Sequence, residues 1–151
     1  MEFVNYTEDI RRFNRFYTRI IGVNNQYTDQ TKYSSTEAQI LYEISIKEKC
    51  TAAYLRDYFK LDKGYLSRIL KRFENEVLII KTASNEDKRV SYLHITEHGT
   101  KELNSLINTA NRNVYNMIEK IPVEELDELI QSMRRIESIL KNYENEIYAI
   151  K

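Results

Sequence analysis

The sequence contains few residues that interrupt helices. It has one proline and three glycines in 151 residues, both far below average usage, which favours long helices. Its one cysteine, Cys50, excludes an intrachain disulfide. The longest aliphatic run is Val77 to Ile80, whereas a membrane span needs ~20 residues. Glu2, Glu8 and Asp9 precede any apolar stretch, unlike a secretory signal. We therefore expect a cytoplasmic protein that does not cross a membrane.

The chain also lacks net charge, with 23 basic and 23 acidic side chains. Strong nucleic-acid binders are often basic, so this balance argues weakly against that class. The charges are unevenly distributed, however. Residues 51–96 hold nine basic and six acidic side chains, a net charge of +3, and residues 97–151 hold seven and ten, a net charge of −3. A local basic surface is all that attraction to phosphates requires.

Apolar residues at helical spacing predict six helices. The first covers residues 5–24 and is followed by a polar loop at residues 25–33. Four side chains are placed to cap the next helices, and Pro122 is suited to the first turn of a last helix that continues to Ile147. The four capping residues are Ser34 (with Glu37 completing a capping box), Thr51, Asp62 and Thr96.

Two short segments change to the pattern of strands. Residues 77–82 are mostly β-branched or aliphatic, residues 90–95 alternate, and the polar segment 83–89 lies between them. This pattern predicts a β-hairpin with a longer loop. The expected fold is therefore mainly α (α+β): a winged helix-turn-helix lobe over residues 33–99 with a small antiparallel hairpin as its wing.

The regions outside this lobe, residues 1–32 and 100–151, are predicted to be long helices with apolar stripes. The stripes extend from Ile10 to Ile21 and from Leu126 to Ile147. A lone winged lobe offers nothing to cover both of them, so we expect these regions to form the dimerisation region of a homodimer.

The segment 51–73 has the spacing of a helix-turn-helix. Its second helix is expected to bury Leu66, Ile69, Leu70 and Phe73 and to expose a polar, cationic face. On that face Arg68 can bond a guanine edge, and Gly64 allows a phosphate close to the backbone. An amphipathic helix with a solvated basic face explains the same pattern equally well. The candidate DNA contacts are Lys63, Gly64, Tyr65, Ser67, Arg68, Lys71 and Arg72.

The hairpin loop adds two further cations, Lys88 and Arg89. A narrow minor groove concentrates negative potential and attracts arginine. A helix-turn-helix followed by a basic wing is a more specific signal for double-stranded DNA than either feature alone.

Two segments resemble the MarR family of transcriptional regulators. Asp87-Lys88-Arg89 followed by Leu93-His94-Ile95-Thr96-Glu97-His98-Gly99 is similar to its wing signature, and residues 61–73 are similar to its recognition helix. The resemblance implies an obligate dimer with recognition helices in successive major grooves and wing arginines in the minor groove. It also implies that Asp87 holds the wing in shape. Family members often bind small aromatic effectors, for which Tyr17, Tyr42 and Tyr54 are the candidate pocket residues.

The sequence departs from the family at Val77, where glycine usually ends the recognition helix. A β-branched residue is poor in the left-handed conformation. We therefore expect Asn75 to take that role instead and to shift the wing by a residue or two.

Other functions are less well supported by the residues. Cys50 is interpreted as a packed residue rather than a redox sensor, and His94 and His98 have no obvious third metal ligand, so neither a metal nor another cofactor is expected. The sequence contains no phosphate loop and no nucleophile elbow, so an enzyme is not expected. The alternative that remains is a winged-helix protein-interaction module that does not bind DNA.

Overall fold

In a computed structural model of the chain, residues 2–25 and 31–149 are described. Over these ranges the fold is mainly helical with one two-stranded antiparallel sheet, as predicted. The chain forms two compact units, Met1–Asn113 and Val114–Lys151. The elements are α1 (Glu2–Asn25), α2 (Ser35–Ile46), α3 (Ala52–Phe59), α4 (Lys63–Asn75), β1 (Ile79–Ala83), β2 (Ser91–Ile95), α5 (Glu97–Ile118), α6 (Val123–Asn142) and α7 (Glu144–Ala149).

The predicted caps fix where the central helices begin. Ser34 accepts from the backbone N–H of Glu37, and the Glu37 carboxylate accepts from the Ser34 N–H, which completes the capping box of α2. Thr51 caps α3 by accepting from the Tyr54 N–H at 3.1 Å. Asp62 caps α4 by accepting from the Tyr65 N–H at 3.0 Å. All three starts are confirmed.

A single hydrophobic core joins α2, α3, α4 and the hairpin. β2 packs against α2 and α3, and β1 packs against α4. The apolar face predicted for α4 is buried, with Phe73 fully enclosed. Cys50 lies in this core, as its interpretation as a packed residue requires. The main members of the core are Ile40, Leu41, Ile44, Cys50, Leu55, Leu66, Ile69, Leu70, Phe73, Leu78, Ile79 and Leu93.

The end of α4 differs from its prediction. Asn75 is the last helical residue, and Val77 itself takes the left-handed conformation, with φ of 59°. The Leu78 N–H donates to the Phe73 carbonyl at 2.8 Å and the Val77 N–H donates to the Glu74 carbonyl at 3.0 Å. This pair of bonds is a Schellman motif, and it places the left-handed position at residue 77 whichever side chain stands there. The proposal that Asn75 replaces glycine is wrong.

The same turn shortens the hairpin. Val77 and Leu78 lie outside the ladder, so β1 begins at Ile79 rather than at Val77. The strands pair from Ile79 with Ile95 to Ala83 with Ser91.

Thr96 and Gly99 connect the end of the hairpin to α5. The Thr96 hydroxyl lies 2.6 Å from the Val77 carbonyl oxygen and accepts from the Gly99 N–H at 2.9 Å, so Thr96 caps α5 as predicted. A Cβ at Gly99 would lie 2.1 Å from the Leu78 carbonyl oxygen. Only glycine allows the first turn of α5 to pass this close to the backbone.

The long helices differ from their predictions at the ends. α1 begins at Glu2 and includes Asn25, and residues 26–30 of the predicted loop lie outside the described residues. Pro122 is the N-cap of α6 rather than part of its first turn. The predicted last helix is interrupted at Tyr143, so α7 is a separate helix. No helix within the described ranges has the length and apolarity of a membrane span.

Candidate nucleic-acid interface

The exposed face of α4 carries six of the predicted contact residues. Its opposite face is anchored in the core through Leu66, Ile69, Leu70 and Phe73. The face turned to solvent is therefore set by the helical repeat. Its exposed members are Lys63, Gly64, Tyr65, Ser67, Arg68 and Lys71.

Three of these residues are cations without an ion-pair partner in the part of the chain that the structure describes: Lys63, Arg68 and Lys71. Lys81, by contrast, is paired with Glu74 at 2.9 Å. An unpaired cation keeps its charge available for an external anion, and a phosphate backbone is a regular array of such anions.

Gly64 lies in the first turn of α4. A Cβ at this position would lie 3.1 Å from Asp62 Oδ2 and 3.8 Å from Arg68 Nη1, both at the ends of side chains. The packing of the lobe therefore does not demand a glycine here, in contrast to Gly99. The open backbone at this helix N-terminus is instead suited to a close phosphate.

Arg72 stands apart from the other predicted contacts. Its side chain is partly buried, and all three guanidinium nitrogens donate to acceptors inside the lobe. The hydrogen bond to Glu76 raises its pKa further above the usual value. Arg72 belongs to an internal network and not to the free cationic face.

The wing loop, residues 84–90, is held by two short polar side chains. The buried Ser84 hydroxyl accepts from the Glu86 N–H at 3.2 Å. The Asp87 carboxylate accepts from the Arg89 N–H at 3.0 Å and binds the Arg89 guanidinium through two bonds of 3.0 and 3.1 Å. These bonds lower the pKa of Asp87 below its usual value.

The wing therefore presents its two cations in different ways. The Arg89 side chain is 91% exposed although it is bonded to Asp87. Lys88 is exposed in the turn beside it. Asp87 orients the guanidinium and leaves its outer edge open to solvent, an arrangement that can enter a groove without a large ordering cost.

The three tyrosines proposed for an effector pocket have different surroundings. Tyr17 stacks on Phe13 within α1, with ring centroids 5.7 Å apart. Tyr42 is exposed on α2. The Tyr54 hydroxyl donates to Glu43 at 2.5 Å, and this bond is the main cause that raises the pKa of Tyr54 to about 12. The effector pocket stays a prediction.

Of the remaining candidates for chemistry, Cys50 is buried, His94 is hydrogen-bonded and His98 is exposed on the first turn of α5. Burial, with Glu43 nearby, raises the pKa of the Cys50 thiol to about 11 and keeps it protonated. His94 Nε2 lies 2.8 Å from the Thr82 hydroxyl. No cluster of three or more His, Cys, Asp or Glu side chains suited to a metal occurs among residues 2–25 and 31–149.

Sequence reasoning missed four residues of this region. Ser84 shapes the wing, and Tyr33, Glu37 and Glu76 bind one another or Arg72. The capping box indicated a role for Glu37 at the start of α2 only, and the i, i+4 spacing of Arg72 and Glu76 was a signal for their pair. Nothing in the sequence indicated that Tyr33 lies beside Glu76.

Comparisons with known proteins agree with this geometry. The sequence profile of the MarR family matches residues 32–90. The transcriptional regulator SarZ of Staphylococcus epidermidis, of HTH type, is 26% identical over 135 residues, which cover 87% of this chain and 88% of SarZ.

Two solved structures show the same fold. Streptococcus pneumoniae FabT in complex with DNA has a TM-score of 0.72 at 16% identity, covering 91% of this chain and 98% of FabT. Bordetella bronchiseptica BpsR has a TM-score of 0.66 at 13% identity, covering 84% and 91%, and its DNA binding is regulated by 6-hydroxynicotinic acid.

Proposed function

This chain belongs to the MarR family of winged helix-turn-helix transcriptional regulators, and we propose that it binds a pseudo-palindromic DNA duplex as a homodimer. In this proposal α4 enters the major groove and the 84–90 loop enters the minor groove. Half-sites lie ~10 bp apart, because a two-fold dimer sets its recognition helices one helical turn apart. The solved complex of FabT with DNA supports duplex DNA as the partner.

The observation that carries the proposal is the set of unpaired cations on α4 beside a cationic wing. Lys63, Arg68 and Lys71 are exposed and have no ion-pair partner among the described residues, and Arg89 is exposed on a fixed loop. The whole chain is neutral, so these cations are available to DNA because of their placement and not because of net charge.

The proposed dimer rests on the apolar residues of the terminal helices. Ile10, Phe13 and Phe16 on α1 are about half exposed, and so are Ile136 and Leu140 on α6. A second copy of the chain would cover these residues symmetrically.

We further propose that the regulator is a repressor relieved by a small aromatic effector. The regulation of BpsR by an aromatic acid supports this proposal. An effector that prefers a dimer with altered recognition-helix spacing would need a coupling of only ~1–3 kcal/mol to change DNA occupancy 5–150-fold. Isothermal titration with phenolic acids, using Tyr17→Ala and Tyr54→Ala as variants, tests this part separately.

Fluorescence anisotropy on a duplex selected from random sequence tests the DNA-binding proposal. Arg68→Ala is expected to cost ~1–3 kcal/mol and to relax base preference at one position per half-site. Arg89→Ala is expected to weaken binding to all sequences, most on A·T-rich flanks with a narrow minor groove. Lys101→Ala serves as the matched control, since it removes the same charge from a cation that is paired with Glu97 on α5.

Asp87→Ala separates the role of the wing from direct contact. It removes the bonds that orient Arg89, so it is expected to resemble a weaker form of Arg89→Ala and to leave the preferred sequence unchanged. If Arg68→Ala, Arg89→Ala and Asp87→Ala all remain folded dimers and bind DNA within twofold of wild type, the chain does not read DNA in this way. The interaction-module alternative would then replace the proposal.

A further inference from the structure

We propose that Arg72 is a positioning residue for α4, held by Glu37 and Glu76 in an ion-pair clamp, and that it is not a phosphate contact. The inference rests on the proposed DNA-binding function and names how the recognition helix is held for it. The clamp is defined as Lys32, Tyr33, Glu37, Arg72 and Glu76.

All three guanidinium nitrogens of Arg72 donate within the lobe, through three of its five N–H groups. Its Nη1 donates to Glu37 in the first turn of α2 at 2.7 Å, and its Nη2 donates to the Lys32 carbonyl at 2.9 Å. Its Nε donates to Glu76, the C-cap of α4, at 3.2 Å. The two Nη bonds thus tie α4 to α2 and to residue 32, whereas the Nε bond fixes Arg72 to the C-cap of its own helix. A fork of this shape requires arginine.

The two carboxylates are also engaged beyond Arg72. Glu37 accepts from the Ser34 N–H with its other oxygen, and Glu76 accepts from the Tyr33 hydroxyl at 2.5 Å and from Lys32 at 3.0 Å. Burial opposes ionisation of Glu76, but the bonds from Tyr33, Lys32 and Arg72 lower its pKa to about 2. Glu76 therefore remains a carboxylate that can hold Arg72 at neutral pH.

Burial and charge both keep Arg72 from serving a phosphate. The side chains of Glu37 and Glu76 are 12% and 22% exposed, less than the 36% of Arg72. The Tyr33 ring also covers the guanidinium, with its centroid 5.0 Å from the Arg72 carbon Cζ. A phosphate that took Arg72 would leave two partly buried carboxylates with Lys32 as their main cation, which is costly.

The clamp also lies next to a residue with an unfavourable backbone conformation. Glu76 directly precedes Val77, which holds a left-handed conformation that β-branched residues avoid. Arg68 is one helical turn before Arg72 on the same helix. Fixing residues 72–76 against α2 and against residues 32–33 therefore fixes both the turn into β1 and the direction in which Arg68 points.

The test asks whether DNA affinity rises or falls when one carboxylate of the clamp is neutralised. If Arg72 contacts phosphate, Glu37→Gln removes an anion that competes with DNA, so affinity must rise. If Arg72 positions α4, Glu37→Gln loosens the helix and affinity must fall, although the protein has become more positive. Glutamine can still complete the capping box, so the start of α2 is preserved. Glu48→Gln is the matched control, because it removes an exposed carboxylate outside the clamp.

Arg72→Lys and Arg72→Gln supply the second readout, measured as DNA affinity against salt concentration. We expect both variants to bind about tenfold more weakly, with the salt dependence of wild type. By contrast, Lys71→Gln is expected to lower the slope of log affinity against log salt by ~0.9, the effect of one lost phosphate contact. A rise in affinity for Glu37→Gln, or a smaller slope for Arg72→Gln with rescue by Arg72→Lys, would overturn the proposal.

A measurement without DNA separates this inference from the proposed function. In thermal unfolding, Glu37→Gln and Arg72→Gln should each lower Tm, and the double variant should lower it no further than the larger single effect. Additive shifts would show that the two residues are not coupled and would overturn the clamp even if DNA binds. If wild type and Lys71→Gln both fail to bind duplex DNA, the proposed function falls together with the assigned role of Arg72 in DNA binding. The unfolding cycle then decides whether the clamp holds α4.

Discussion

Two amphipathic helices of the same chain, α4 and α6, have opposite fates. Both carry apolar residues at helical spacing. In α4 the apolar face is buried, and Phe73 is fully enclosed. In α6 no residue is buried, and Ile130 and Ile136 are 44% and 45% exposed. An apolar stripe predicts that one face of a helix will be buried, but it does not identify whether the same chain or another copy covers that face.

The polar contacts of the two regions also differ in how far apart in sequence their partners are. In the lobe, ion pairs and hydrogen bonds join residues far apart in sequence, such as Arg72 with Glu37 and Tyr33 with Glu76. In α6 the pair of Lys141 and Glu137 is one turn apart on one helix, and such pairs contribute only ~0.2–0.5 kcal/mol. The lobe thus has tertiary contacts of its own, whereas the exposed face of α6 is suited to a second copy of the chain.

The largest expected effect is at Gly99, where the lobe depends on close backbone packing. Gly99→Ala would place a methyl group 2.1 Å from the Leu78 carbonyl oxygen, which cannot rotate away. We expect a loss of about 3 kcal/mol or more in the free energy of unfolding, measured by urea denaturation with circular dichroism. Gly64→Ala is the matched control and should stay within ~1 kcal/mol of wild type, because its tight contact, Asp62 Oδ2 at 3.1 Å, is the end of a side chain, and alanine has the higher helix propensity. Equal losses in the two variants would contradict this packing argument.

A charge on the exposed stripe of α6 should act on association and not on the lobe. Ile136→Asp is expected to weaken dimerisation about a hundredfold, or ~2.7 kcal/mol, because each copy would place a carboxylate in the same apolar interface. Sedimentation velocity over a concentration series measures the effect. Ile80→Asp, at a residue of β1 that is also half exposed, is the control and should leave the dimer intact. A chain that is monomeric and fully folded before any substitution would refute the comparison between the regions.

Acid should weaken the lobe through Glu76. Its pKa of about 2 in the folded protein lies below the usual value of 4.5, so the carboxylate contributes its full stability above about pH 4.5. This contribution is lost as the pH falls from 4.5 towards 2. We expect the free energy of unfolding to fall by roughly 2 kcal/mol between neutral pH and pH 2. This loss is smaller than the full pKa shift would give, because Lys32 and Arg72 are partly exposed to solvent. Glu76→Gln should be less stable at pH 7 and should vary less with pH, as followed by denaturation at both pH values. Glu74→Gln should keep the wild-type dependence.

The smallest expected effect is a gain at Val77. A residue with a Cβ pays ~1–2 kcal/mol to hold the left-handed conformation, and Val77→Gly removes that cost. Glycine also adds chain entropy to the unfolded state, which offsets part of the gain. The net result should be a stabilisation of ~1 kcal/mol, seen as a higher Tm. Val77→Ala keeps the Cβ and should gain less. A loss of stability on Val77→Gly would mean that the Val77 side chain contributes contacts that outweigh its strain.

Much of the fold could be predicted from local signals. Ser34, Thr51, Asp62 and Thr96 each start the helix that they were expected to start. Caps are readable because they satisfy N–H groups only two or three residues away. The apolar face of α4 was readable for the related reason that the helical repeat fixes which residues share a face.

The structure added what the sequence pattern did not show at two places, one of which made the Asn75 prediction wrong. Val77 is left-handed because the Schellman bonds of α4 and the Thr96 hydroxyl on the Val77 carbonyl hold it there, against its own preference. Arg72 looked like a surface cation because the i, i+4 pattern does not show Glu37 or Tyr33 beside it.

The sequence by itself determined the order of the helices, the hairpin, the buried face of α4 and the cations on its exposed face, because each depends on residues close together in the chain. The tertiary structure alone decided which cations are free. Lys71 and Arg72 are neighbours in sequence, yet only Arg72 meets the Glu37 carboxylate and the Tyr33 ring from other segments, in addition to Glu76 one turn further on. Charge availability depends on distances between segments, and those distances exist only after the chain has folded.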